Sequence, residues 1–129
     1  MIKEEIANVV DEEHGLASNS VRCVTESSDG LYYIGTSGSM MTMTLNGGLK
    51  IVDEFPEINY TECISADANG NVAAITTSGV LYLLNCDGIV DTVSIPPEDG
   101  QLTSCSFDKN GLLYVGTSEN NYHIYEISG

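Results

Sequence analysis

The chain has no tryptophan and very few basic residues. Of its 129 residues, four are lysine or arginine and nineteen are aspartate or glutamate, so its formal net charge is −15. Nucleic acids and anionic membrane surfaces are polyanions, and both repel so acidic a chain. We therefore expect no nucleic-acid partner and no direct membrane insertion of this segment. The carboxylates are spread along the chain, a pattern typical of a solvated surface.

Long apolar runs are also lacking. No run approaches the ~20 residues that a membrane-spanning helix needs. The opening residues, Met1 to Glu5, have neither the charge nor the apolar core of a secretion signal. The chain is expected to be cytoplasmic unless an anchor lies outside these residues. Its hydrophobic content of 42% is enough for a packed core.

Four cysteines occur without any close Cys-x-x-Cys pairing, which argues against a zinc site and a thioredoxin-like motif. Cys23 and Cys63 each precede a turn glycine by seven residues, and Cys105 lies one place further along its repeat. This periodicity predicts small buried residues on inner strands, as free thiols rather than disulfides. We expect no metal and no cofactor.

One pattern occurs three times: a turn that ends in glycine, then a short apolar run. The turn glycines are Gly30, Gly70 and Gly111, which gives a period of 40 to 41 residues. Repeats of this length, built of short strands between turns, are typical of β-propeller blades. A closed propeller needs roughly four or more blades, and the chain has about three. The predicted fold is therefore all-β, an incomplete propeller closed by a second chain or by missing blades.

Each blade is predicted to hold four strands, with the last strand missing from the third. The predicted strands are 20–25, 31–35, 40–45 and 49–54, then 61–66, 72–76, 80–84 and 89–95, then 102–107, 112–116 and 122–127. The dipeptides Asp29-Gly30, Asn69-Gly70 and Asn110-Gly111 predict tight hairpins with positive φ. All three prolines are expected in the connections between blades.

The N-terminal segment has two interpretations. Ile2, Ile6, Val9 and Val10 fit the spacing of a short helix, but residues 6–12 also resemble the outer strand predicted at 49–54. We favour the strand. The predicted division is then 1–14 as an outer strand of a shared blade, with blades at 15–54, 55–95 and 96–129. A strand supplied by each chain to its partner's last blade predicts a head-to-tail homodimer of about six blades.

The first repeat resembles a known family. Gly15-Leu16-Ala17-Ser18-Asn19-Ser20-Val21-Arg22, followed by Asp29-Gly30-Leu31-Tyr32-Tyr33-Ile34-Gly35-Thr36, is similar to the two-component regulator propeller repeat. That family's pattern runs G-L-P-S-N-S-V-R, then D-G-x-L-W-I-G-T. Here Tyr33 replaces the tryptophan and Ala17 the proline. The third repeat keeps the second half of the pattern and ends like a WD-repeat blade.

The resemblance implies a function. Such repeats form sensor regions of bacterial histidine kinases and diguanylate cyclases, so it implies a non-enzymatic ligand-binding module and an extracytoplasmic location. The alternative is an intracellular WD-like scaffold for protein partners. The absent secretion signal favours the scaffold, whereas the first repeat favours the sensor.

Catalysis is not predicted. His14 and His123 have no nearby nucleophile or metal-spaced partner, and adjacent acidic residues in turns are usually solvated. The polar loops that enter the inner strands, and those between second and third strands, emerge on one face of a propeller and suit a polar small molecule, saccharide or peptide. The candidate ligand-binding residues are His14, Asn19, Ser37, Glu57, Asn59, Tyr60, Ser78, Glu98, Asp99, Glu119 and Asn120.

Overall fold

The computed structural model describes residues 20–44, 50–119 and 122–127, which form three antiparallel sheets. Sheet 1 contains β1 (Val21–Glu26), β2 (Tyr32–Thr36), β3 (Ser39–Thr44) and β4 (Lys50–Asn59); sheet 2 contains β5 (Thr61–Ala66), β6 (Val72–Thr76), β7 (Val80–Asn85) and β8 (Gly88–Ser94); sheet 3 contains β9 (Leu102–Phe107), β10 (Leu112–Thr117) and β11 (Tyr122–Glu126). A 3-10 turn, Pro97–Asp99, precedes β9. Strands that follow each other in sequence are neighbours in every sheet. The all-β prediction and the three predicted blades are confirmed.

Within the described ranges no helix is long and apolar enough to cross a membrane. The strand predicted within residues 1–14 lies outside the described residues.

Most strand boundaries agree with the predictions to within one or two residues, but β4 is longer than predicted. It continues to Asn59, and Pro56 lies inside it. The cause is an irregular register: Met40 pairs with Phe55, while the preceding Ser39 pairs with Asn59. A bulge on an edge strand tolerates proline because no ladder hydrogen bond needs its amide. The expectation that Pro56 lies in a connection was wrong.

The hairpins after each inner strand are wider than the predicted tight turns. Within these three hairpins only the turn glycines have positive φ, of 84 to 89°. Among the described non-glycine residues only Tyr60 has a positive φ. In the second blade the Asp67 carboxylate accepts hydrogen bonds from the N–H groups of Asn69, at 2.8 Å, and Asn71, at 2.9 Å. Asp108 accepts the equivalent bonds in the third blade. These bonds satisfy the turn's backbone, so the aspartates are structural.

Each sheet packs face to face on the next. We call the side of a blade that turns to the following blade its forward face, and the opposite side its backward face. In β6, Val72 and Ala74 lie on the backward face, against sheet 1, whereas Ala73 and Ile75 lie on the forward face, against sheet 3. All four side chains are fully buried. The alternation of a strand thus supplies both interfaces of the middle blade.

The first interface is centred on Tyr33 and Met40 of sheet 1, which belong to one buried cluster with Ile64 and Leu84 of sheet 2. The second interface joins Ile75 and other forward residues of sheet 2 to a set on the backward face of sheet 3. That set is Leu102, Cys105, Leu113 and Val115.

Gly35 marks the closest approach of the first interface. A Cβ at Gly35 would lie 2.6 Å from the Thr61 Cβ and 2.8 Å from the Cys23 sulfur. Both distances are shorter than carbon and sulfur atoms tolerate without a shift of the strands. Glycine at this position therefore allows the inner strand β5 to lie directly against β2.

The two thiols at the second interface face each other. The Cys63 thiol donates to the Cys105 carbonyl oxygen at 3.7 Å, and the Cys105 thiol donates to the Ala73 carbonyl oxygen at 3.9 Å. When Cys63 ionises, the Cys105 thiol donates to the Cys63 thiolate in place of the Ala73 carbonyl, and this hydrogen bond lowers the pKa of Cys63 to about 6, against the effect of burial. The same hydrogen bond, together with burial, raises the pKa of Cys105. Burial raises the pKa of Cys23 to about 11, with a further contribution from Cys63.

As predicted, all four cysteines are free. Cys105 is buried, Cys23 and Cys63 are half-buried, and Cys86 is exposed.

We predict that Gly35→Ala lowers the free energy of unfolding by about 1–3 kcal/mol, because the new methyl group overpacks the interface. Urea denaturation at low protein concentration measures the loss. The matched control is Gly116→Ala, at the same place in the third repeat, where the new methyl group meets chiefly the rotatable Ser104 hydroxyl of its own sheet. Equal losses in the two variants would contradict the close approach of β5.

We also predict that Cys63 is the first internal thiol to react with iodoacetamide as the pH is raised. In a Cys86→Ser chain, its alkylation rate should be half-maximal near pH 6, because the thiolate is the reactive species. Peptide mapping by mass spectrometry measures each site. In the Cys105→Ala control the midpoint should move to higher pH, since the hydrogen-bond donor is lost. A Cys63 midpoint above about pH 8 in the parent chain would contradict the contact.

Candidate ligand-binding groove

The two sets of loops named in the sequence analysis lie at the same end of the blades, which we call the entry face. In each blade, one backbone hydrogen bond joins the two loops. The donor is the N–H of the first residue after the second strand, and the acceptor is the carbonyl of the last residue before the inner strand. These bonds are Ser37 to Ser20 at 3.0 Å, Thr77 to Tyr60 at 3.1 Å and Ser118 to Gln101 at 2.9 Å. The threefold recurrence shows that the blade's own hydrogen bonding brings the loops together.

Buried threonines hold the loops between the second and third strands. Thr36 donates to the Ser39 carbonyl at 2.9 Å and accepts from the Gly38 N–H at 2.9 Å. Thr76 contacts the Ser78 hydroxyl at 2.8 Å and donates to the Val80 carbonyl at 3.3 Å. These threonines are therefore structural, and they fix the loops that carry the candidate residues.

A groove of about 420 Å³ lies on the entry face between blades 2 and 3. Its volume lies within the range usual for small-molecule sites. Gly100, with φ of 96°, allows the loop before β9 to contact the loop after β10 in the groove wall. A Cβ at Gly100 would lie 2.7 Å from the Glu119 Cγ and 2.8 Å from the Ser118 Oγ. The lining residues are Thr77, Ser78, Gly79, Ile95, Pro97, Gly100, Gln101, Ser118 and Glu119.

Two predicted site residues, Ser78 and Glu119, line this groove from neighbouring blades. Glu98 and Asp99 lie beside it, in the 3-10 turn that contributes Pro97. The Asp99 carboxylate lies 3.2 Å from Nε2 of His123 on β11, within the same blade. The structure thus places two of the predicted residues in the groove lining and two more in the adjoining 3-10 turn.

Four other predicted residues lie on the entry face near blades 1 and 2, away from the groove. Glu57 and Asn59 are exposed on β4 and Ser37 follows β2, while Tyr60 is exposed and adopts φ of 55°. The remaining three, His14, Asn19 and Asn120, lie outside the described residues.

Arg22 occupies the surface beside Tyr60. Its guanidinium lies 5.5 Å from the centre of the Tyr60 ring and 2.9 Å from the Glu62 carboxylate. Its Nε also donates to the Thr61 carbonyl at 3.0 Å. These contacts hold the only arginine in the sequence to the loop that enters β5. Arg22 therefore contacts both Tyr60 and Glu62 on the exposed surface of blades 1 and 2, apart from the groove at blades 2 and 3.

The groove is acidic. Glu119 lines it and Glu98 and Asp99 stand beside it, whereas none of its nine lining residues is basic. Hydroxyl groups of Thr77, Ser78 and Ser118 and the amide of Gln101 add hydrogen-bonding groups. This arrangement favours a ligand rich in hydrogen-bond donors, or one with a positive charge.

Sequence reasoning missed Gln101 and Ser118 as individual lining residues, because single polar residues in loops have no chemical signature. It also missed a larger cleft of about 630 Å³ at the opposite end of the blades, which Asp29, Asn69, Asn71 and Asn85 help to line. Several of these side chains serve their own turns: Asn71 donates to Asp67, and Asn85 accepts from the Asp87 N–H. That cleft is therefore the weaker candidate.

In the part of the chain that the structure describes, no three His, Cys, Asp or Glu side chains are grouped so as to hold a metal ion.

Comparisons with known proteins agree with this architecture. Residues 15–38 match the sequence model of the family described as Two component regulator propeller. No curated protein matches the chain in sequence.

Two solved propellers resemble the chain in structure. The WD40 repeats of RRP9 superpose with a TM-score of 0.73 at 11% identity, over 84% of this chain and 36% of that one. The β-propeller domain of Myceliophteria thermophila Cps50 (Swd1) superposes with a TM-score of 0.71 at 14% identity, over 88% of this chain and 42% of that one. The chain thus spans about two fifths of these propellers' length. Residues 15–38 are thus similar to a two-component regulator propeller repeat, and the described residues share the β-propeller fold of these two structures.

Proposed function

We propose that the chain is a non-enzymatic sensory module that binds a polar ligand in the groove between blades 2 and 3. The groove itself is the observation that carries the proposal. It is lined by loops of two neighbouring blades, which supply hydroxyl, amide and carboxylate groups. Loops held on a rigid scaffold are the usual location of binding residues. The match of residues 15–38 to the Two component regulator propeller family supports a sensory role.

The charge of the groove narrows the ligand class. Glu119, with Glu98 and Asp99 nearby, disfavours anions because no basic side chain lines the groove to offset the carboxylates. A neutral saccharide could donate its hydroxyl protons to these acceptors, and a peptide could offer an amine or a guanidinium group. We propose one of these two ligand classes. We further propose that the module is the extracytoplasmic input region of a bacterial signalling protein.

A protein-interaction scaffold is the second candidate. WD40 propellers are its structural neighbours, and Tyr60 presents an exposed aromatic ring beside Arg22. Tyrosine and arginine are enriched where proteins bind each other. On this alternative a protein partner covers the entry face at blades 1 and 2, and the groove stays empty.

We predict that a neutral oligosaccharide or a short cationic peptide raises the melting temperature of the chain. A ligand at about 100 times its Kd stabilises the folded state by about 2.7 kcal/mol. A thermal-shift screen of both compound classes measures the effect. The double variant Ser78→Ala/Glu119→Gln should lose it, because both side chains line the groove.

The matched control is Asp87→Asn, which removes one negative charge from an exposed turn that does not contribute to the groove. It should keep the full shift. The ligand-binding proposal fails if no compound in either class shifts the melting temperature, or if the Ser78→Ala/Glu119→Gln variant responds as the parent chain does. A shift that Tyr60→Ala abolishes and Ser78→Ala/Glu119→Gln keeps would locate the bound compound at blades 1 and 2, which is the surface that the scaffold alternative uses.

A further inference from the structure

The forward face of the third blade repeats the forward face of the first. Tyr114 and Gly116 occupy the positions of Tyr33 and Gly35, since each pair follows its turn glycine by three and five residues. Tyr33 is 1% exposed beneath sheet 2, whereas Tyr114 is 37% exposed. The same residue type at the same repeat position is thus covered in one blade and uncovered in the other.

Other side chains on this face are also exposed. Tyr122 pairs with Gly116 and Ile124 with Tyr114, so both lie on the forward face of sheet 3, and they are 68% and 50% exposed. With Ser104 and Ser106 they line a shallow depression of about 380 Å³. None of these residues is charged. Glu126, which pairs with Leu112, also lies on this face but does not line the depression. An uncharged depression with aromatic side chains, on so acidic a chain, is typical of an interface.

The inner strand of the first blade, β1, is uncovered on its backward face. Val21, Thr61 and Leu102 are equivalent, because each pairs with the terminal threonine of its second strand. Thr61 and Leu102 are buried by the preceding blade, but Val21 is 42% exposed. Val24 is 55% exposed, whereas its equivalents Ile64 and Cys105 are buried. Farther out on this backward face Ile34 and Met41 are already buried, so the uncovered part is β1.

The two uncovered surfaces fit each other in shape. At the first interface the space over Gly35 is filled by Thr61, which is β-branched and has the shape of valine. The Thr61 hydroxyl is buried and has no hydrogen-bond partner among the described residues, so valine would serve there equally well. Gly116 leaves the same space in the third blade, and Val21 is the residue that repeat equivalence would place over it. Val24 would then lie against Tyr114, as Ile64 lies in one cluster with Tyr33.

We infer that the forward face of blade 3 binds the inner strand β1 of a second copy of the chain, head to tail. Val21 of one copy sits over Gly116 of the other, and Val24 packs on Tyr114. Two copies supply about six blades, a number that closes a ring with two identical interfaces. The inference does not rest on the proposed ligand, because the groove and the docking face lie on different surfaces.

The electrostatics of the pair give it a salt dependence. Each copy carries a formal charge of −15, whereas Val21, Val24 and the residues that line the depression are uncharged. The two copies therefore repel each other over a distance, and added salt screens this repulsion without weakening the apolar contact. Association should strengthen as NaCl is raised from about 20 mM to about 500 mM.

Sedimentation equilibrium and light scattering on the whole chain test the inference. We expect a mass twice that of the 13.8 kDa chain. Val24→Lys and Tyr114→Lys should each weaken the dimer about tenfold or more, because each buries an unpaired charge at both interfaces. Val90→Lys is the matched control: Val90 is 54% exposed on the outer strand β8, and its replacement should leave the mass unchanged.

Mixing the two interface variants gives a sharper result. A Val24→Lys copy keeps its forward face and a Tyr114→Lys copy keeps its inner strand, so the mixture can form one intact interface. Its association should be stronger than that of either variant alone. Circular dichroism verifies folding, and Val24→Ser with Tyr114→Ser replaces any lysine variant that fails to fold.

Several results would overturn the inference. These are a monomer mass at every protein and salt concentration, a mass above two copies, interface variants that associate as the parent does, or a Val90→Lys variant that dissociates like them. Failure here leaves the ligand screen unaffected.

Discussion

The structure depends on the packing of one blade's forward face on the next blade's backward face. Strand β6 shows the constraint most directly, because all five of its residues are buried. A sheet that is apolar on both sides cannot stand alone in water, since each uncovered face leaves apolar area exposed. The middle blade has both faces covered by its neighbours. Each end blade has only one face that another described blade covers. The uncovered faces of blades 1 and 3 carry exposed apolar side chains, which include Val24 and Tyr114.

The candidate groove is a consequence of the same packing. Blades that lie face to face bring their entry loops side by side, and the recurring hydrogen bond between the two loop sets fixes each loop to its own blade. A ligand site between blades therefore needs no special element beyond small or polar loop residues. Gly100 is the clearest example, since any side chain there would strike Glu119 and Ser118. The ligand-binding proposal thus rests on features that a propeller supplies wherever two blades meet.

Much of this architecture is predictable from sequence, because the turn glycines recur at nearly equal spacing and strand alternation then assigns the faces. The spacing also explains the thiol contact. Cys105 is displaced by one residue from the repeat position of Cys63, so it lies on the opposite face of its strand. Because that face is the one turned to sheet 2, Cys105 meets Cys63 across the interface. The extension of β4 through Pro56 was not predictable, because a bulge depends on the register of the partner strand. The pairing of Asp99 with His123 depends on tertiary structure in the same way.

The second repeat departs from the pattern in a way that packing explains. Where the first and third repeats have tyrosine and then glycine two residues later, the second has Ala73 and Ile75. The large side chain has moved from one position to the other, so the volume on that face is roughly conserved. The facing residue changes accordingly, from Thr61 over Gly35 to Leu102 in the cluster with Ile75. The third blade returns to the tyrosine-glycine order, so its forward face suits a strand like β5 rather than one like β9. Among the chain's own inner strands, β1 with Val21 meets that requirement, and steric fit of this kind can select one neighbour over another.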